Sequence, residues 1–149
     1  MTVGLVVLTV GCGDGETTTT QEWVTAADAI CAEMNAQLDP IPEPQTIKEF
    51  ADASAQVNQI WRNGIDELRE LDLPEGNEAA ITEALDAFDQ LADASLQWSD
   101  AFTASGSMEV EDMTPELEML FVELETSSTQ ATQLAERTGL QQCFTNQES

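Results

Sequence analysis

Four stretches of this 149-residue chain repeat apolar side chains at intervals of three and four, and none alternates in the manner of a half-buried strand. That spacing is the period of a helix burying one face, so the chain is confined to helices packed on one another. The first stretch, over residues 22–38, carries Trp23, Ala27, Ile30, Met34 and Leu38, with Cys31 beside the stripe. Pro40, Pro42 and Pro44 then end the helix, because proline lacks the N–H and clashes with the preceding turn. The second starts at Thr46, with Glu49 placed to complete a capping box, and runs to Leu71. Its buried face is Phe50, Val57, Ile60, Trp61, Ile65, Leu68 and Leu71.

Leu73-Pro74-Glu75-Gly76 forms the next turn, and Asn77 is expected to cap a third helix reaching Ala104. Ile81, Leu85, Phe88, Leu91, Leu96, Trp98 and Phe102 supply its apolar side, while Glu83, Asp86, Asp89 and Asp93 face solvent. An acidic connection spans 105–113. Thr114-Pro115 opens the fourth helix with proline where its missing N–H does no harm. Leu117, Leu120, Phe121, Leu124, Ala131 and Leu134 continue it until Gly139-Leu140, a left-handed stop followed by a residue able to pack back. The predicted fold is all-α: a single antiparallel up-down-up-down four-helix bundle over 21–149, behind a flexible N-terminal tether.

Charge removes whole classes of partner. Twenty-nine Asp and Glu stand against Lys48, Arg62, Arg69 and Arg137, a net charge of -25. Four scattered cations build no phosphate-binding face, so nucleic acid is not an expected partner, and anionic headgroups repel the domain. The acidity reads as a solvated surface of the kind seen in salt-adapted organisms, with a cation-binding role as the alternative. Histidine and tyrosine are absent. Ser-His and Cys-His nucleophilic pairs, His-ligated zinc and Glu-x-x-His di-iron sites are therefore unavailable. No enzymatic activity, cofactor or resident metal is expected.

The first eleven residues are uncharged and mostly apolar, end in glycine before Cys12, and are too short to span a bilayer. Leu8-Thr9-Val10-Gly11-Cys12 looks like a bacterial lipobox: residues 1–11 would be the end of a shortened signal peptide, cleaved before Cys12, whose sulfur takes the lipid. Residues 12–20 then form the lipidated cysteine and a Gly/Thr linker. The alternative is a buried N-terminal strand with an ordinary cysteine. If Cys12 is acylated, Cys31 and Cys143 are left as a pair, expected to form a disulfide in an oxidising compartment, with two free thiols as the alternative.

Asp28-Ala29-Ile30-Cys31-Ala32, Leu68-Arg69-Glu70-Leu71-Asp72-Leu73-Pro74 and Gly139-Leu140-Gln141-Gln142-Cys143 together resemble the small exported lipoproteins of actinobacteria, a group without an assigned activity. The resemblance implies an envelope location and a Cys31–Cys143 bridge, and carries over no catalytic residue.

Function is then expected to be that of a lipid-anchored interaction module on the outer face of the cytoplasmic membrane, binding another envelope protein, with its oligomeric state open. The alternative is a small-ligand or Ca2+ carrier. Glu109, Glu111 and Asp112 offer oxygen ligands, flanked by Met108 and Met113 as an adaptable apolar lid, although a solvated loop and a packed bundle end explain the same residues. Trp23, Trp61 and Trp98 admit an aromatic pocket, with core packing as the simpler account.

Overall fold

A computed structural model describes residues 17–108 and 113–143. Among these residues are four helices and no strand: α1 (Thr20–Leu38), α2 (Ile47–Glu70), α3 (Glu78–Ser105) and α4 (Pro115–Thr138). Cys12 with the rest of 1–16, Glu109, Glu111 and Asp112 within 109–112, and residues 144–149 lie outside the described residues.

Local chemistry sets the helix starts. The Thr46–Glu49 capping box forms as expected, with Glu49 N–H donating to Thr46 Oγ1 at 3.2 Å and the Glu49 carboxylate accepting from Thr46 N–H at 3.1 Å. A second box, Thr19 with Glu22, starts α1 two residues before the apolar spacing places it. Thr114 Oγ1 accepts the Leu117 N–H at 3.3 Å, ahead of Pro115 at the first helical position. Asn77 departs from expectation. Its side chain makes no cap bond to α3 and instead donates to Thr20 Oγ1 at 2.6 Å.

At the far end of α4, Gly139 adopts φ 86°, its N–H donating to the Glu136 carbonyl at 3.1 Å and the Leu140 N–H to the Ala135 carbonyl at 3.0 Å. This is the paired Schellman pattern, and Leu140 folds back until it is 2% exposed.

The Asn77–Thr20 bond places the starts of α1 and α3 at one end of the molecule. The end of α4 is there too, since a Cβ on Gly139 would lie 3.6 Å from Val24 Cγ2. Successive helices therefore alternate in direction, giving the up-down-up-down bundle.

All four helices feed one core. Trp23, Ile65, Leu68, Ile81 and Phe88 are among its fully buried side chains. Two residues of the expected apolar stripes are not inside: Leu96 is 36% and Phe121 39% exposed. A stripe of seven side chains on α3 is wider than the face its neighbours cover, and alanines take the closest positions. Ala84, Ala87, Ala92, Ala131 and Ala135 are all buried on α3 and α4, the pair that packs most extensively.

The acidic face of α3 is not simply solvated, as the sequence led us to expect. Asp89 accepts from Arg62 through Oδ1 at 3.2 Å and from Arg69 through Oδ2 at 2.5 Å. Asp93 accepts from Arg62 as well, and Asp86 from Arg69 at 2.9 Å. Half of the chain's cations thus form a ladder joining α2 to α3, and its carboxylates, Asp86 first and then Asp89, push the Arg69 pKa further up.

Candidate functional site

The site begins with a segment that has no secondary structure of its own. After Leu140 the chain turns back and climbs α1. Asp28, Cys31 and Asn35 recur at i, i+3 and i+7 and so share one helix face. Asp28 Oδ1 accepts the N–H groups of Gln141 at 2.9 Å and Gln142 at 3.0 Å, and Asn35 Nδ2 donates to the Gln142 carbonyl at 3.0 Å. Cys31 and Cys143 are bonded, with Cα atoms 5.0 Å apart, and both are buried. The expected pairing is therefore present. Residues 140–143 form a strap between the end of α4 and the middle of α1.

α1 packs chiefly on α2 rather than on α4. Beyond the disulfide the two outer helices stand apart around a cleft of about 770 Å³, open on one side. Its inner wall is apolar: Met34 and Leu38 from α1, Trp61 from α2, Leu91 from α3, Phe121 and Leu124 from α4. Hydroxyls face them, from Ser95 on α3 and from Ser128, Thr129 and Thr132 on α4. The disulfide and Gln142 are also in the lining.

Every charged side chain lining this cleft is acidic: Asp39, Glu125 and Glu136, all exposed. Glu125 and Glu136 bracket residues 126–135, which contain no charge at all in a chain that is 22% charged. The volume falls within the range of small-molecule pockets. Apolar walls with a few hydroxyls are able to bind and orient a ligand, and with no histidine in the chain none of these hydroxyls has an imidazole base to activate it.

The three tryptophans do not converge on a common pocket. Trp23 is in the core, Trp61 lines the cleft, and Trp98 belongs to an aromatic cluster. There Trp98 stacks on Phe102 at 5.0 Å between ring centroids, Phe50 meets both rings edge-on, and Phe121 lies 6.1 Å from Trp98. Phe121 thus links that cluster to the cleft.

At the acidic connection, Met108 is 37% exposed and Met113 half-buried, while Glu109, Glu111 and Asp112 fall outside the described residues. Among the described residues, no group of three or more Cys, Asp or Glu is arranged to hold a metal ion, and no helix is long and apolar enough to cross a membrane. No protein-family model matches this chain, and no curated protein or solved structure matches it either.

Proposed function

We propose that this chain is a non-enzymatic binding lipoprotein of the bacterial cell envelope, of the actinobacterial kind, anchored outside the cytoplasmic membrane through Cys12, and that its α1–α4 cleft holds a small ligand. The observation that carries the binding role is the cleft itself: about 770 Å³, apolar inside, hydroxyl-lined on one wall and braced by a disulfide-fastened strap. A ligand site on the α1–α4 side replaces the bundle end as the preferred location. The lipobox around Cys12 and the Cys31–Cys143 bridge support an address in an oxidising compartment.

A second reading, an interaction module for another envelope protein, has its own support. Met119 is 69% and Val122 59% exposed on α4, adjoining Phe121, an unusual apolar display on so acidic a chain.

Native mass spectrometry of protein extracted from membranes of its own host tests both parts. The expected spectrum shows an acylated N-terminal Cys12 and a small-molecule adduct that a cleft-filling Ser128→Trp variant lacks. An intact Met1 with an unmodified Cys12 overturns the anchor. A chain carrying no adduct, but co-purifying with one stoichiometric protein lost on Met119→Lys/Val122→Lys, replaces the ligand reading with the interaction module.

A further inference from the structure

We propose that the cleft between α1 and α4 selects an organic cation with an apolar body, a quaternary or protonated amine, over anions and neutral lipids. This rests on the cleft being the binding site, and goes beyond it by naming the ligand's chemistry.

Three features of the lining point the same way. The charged groups at the mouth are Asp39, Glu125 and Glu136, and neither lysine nor arginine lines the cleft. An anion would meet these carboxylates and the field of a -25 chain without a compensating partner. A neutral apolar ligand would fill the wall but partly desolvate the rim carboxylates with nothing to pair them. A cation with an apolar body satisfies both surfaces: its hydrocarbon lies against Met34, Leu38 and Leu91, and its head stays near Glu125 and Glu136. Trp61 and Phe121 in the wall add aromatic rings, whose faces attract ammonium groups. The hydroxyls of Ser128 and Thr129 lie on α4 within four residues of Glu125, so α4 supplies polar groups and two of the three rim carboxylates together.

Three of the chain's four cations are held by carboxylates away from this rim, and the fourth, Arg137, follows Glu136 on α4 without lining the cleft. Arg62 and Arg69 are engaged by Asp86, Asp89 and Asp93 on the α2–α3 side, and Lys48 by Asp52 on the surface of α2.

Calorimetry on the oxidised full chain tests the inference with three matched probes: phenylbutyltrimethylammonium, phenylbutanesulfonate and phenylbutanol. The ammonium is expected to bind about tenfold more tightly than the alcohol, with the sulfonate weaker still. Glu125→Gln/Glu136→Gln should bring ammonium and alcohol to within about threefold of each other, whereas Glu67→Gln/Glu83→Gln, the same charge change away from the cleft, should not. Ser128→Trp on α4, and Ser95→Trp on α3, should abolish ammonium binding. Equal affinity for ammonium and alcohol overturns the charge selection while leaving the cleft a ligand site. Failure of all three probes overturns the cleft reading as well. Ammonium binding that survives both tryptophan variants places it elsewhere and ends the proposal. Binding only by a chain shortened to end at Cys143 makes the chain's own C-terminus the occupant, and binding only by dissociated dimers makes it a second copy; either result overturns the proposal.

Discussion

Asp28 on α1 accepts the backbone N–H of Gln142 at 3.0 Å, across 114 residues of chain. The same oxygen takes the Gln141 N–H at 2.9 Å, so a single carboxylate serves two consecutive amides of the strap. Removing it leaves those amides to water, since the site is exposed. Asp28→Ala should lower the unfolding free energy of the oxidised chain by about 1 kcal/mol, and Asp28→Asn by less, because its amide oxygen still accepts. Urea titrations in which all three chains unfold together would contradict this.

The disulfide carries more. Its partners are 112 residues apart, and closing a loop of that size restricts the unfolded chain by about 4 to 5 kcal/mol in the chain-entropy account. Cys143→Ser, or reduction, should lower Tm by about 10 °C or more. Melting curves with and without reductant measure it, and coincident curves would show that the bridge does not limit stability.

Paired and unpaired carboxylates should respond oppositely to neutralisation. Asp89 serves both Arg62 and Arg69, so Asp89→Asn should destabilise by about 1 kcal/mol, discounted for its partial exposure. Glu83→Gln removes one of many mutually repelling charges and should be neutral or stabilising. With 29 acidic residues against 4 basic, repulsion outweighs the ladder, and Tm should climb between low and molar NaCl. A flat salt response would refute the repulsion argument.

The helices could be read from the sequence because their signals are local. Thr46 with Glu49, Thr114 with Pro115, and Gly139 with Leu140 each act within one turn, and the structure has them where the spacing put them. The box at Thr19 and Glu22 is equally local, but it sits at the end of a run of threonines that has the composition of a tether. Asn77 and Phe121 depart from local expectation because long-range packing decides them: one is drawn to Thr20 across the bundle, the other is left at the edge of the cleft. The Arg62–Asp89 pairing depends on the register of α2 against α3, which periodicity does not specify. The cleft lies between α1 and α4, and no stripe on either outer helix encodes the distance between them.

Gly64 is buried at mid-helix on α2 because Met34 lies where its side chain would be. A Cβ there would overlap Met34 Sδ and come to 2.5 Å from its Cγ. Gly64→Ala would otherwise favour the helix by about 1 kcal/mol. Displacing a 6%-exposed Met34 should cost about 1 to 3 kcal/mol, so the net change is destabilising. Combining it with Met34→Ala should cost less than the sum of the single changes. A strictly additive double-mutant cycle would remove the steric explanation.

Acid should loosen the start of α1 through Glu22. The Thr19 N–H, and then the Thr19 hydroxyl, hold its carboxyl below the ordinary value of 4.5. A group depressed on folding stabilises fully above its unfolded pKa and loses that contribution as pH falls through the folded value, so the cap is intact at neutral pH and lost well into acid. Carboxyl NMR should give a Glu22 midpoint below 4.5, moving part of the way back in Thr19→Ala. A wild-type midpoint at or above 4.5 would count against the capping box.

The strap also fixes how the domain answers a mechanical load. A pull entering at Thr20 and leaving at Cys143 passes along α1 only as far as Cys31, crosses the sulfur bridge and exits, so the intervening helices are never in the line of tension. A tethered body tugged from its two ends would pay out only the first turns of α1, and the remaining three helices would stay folded.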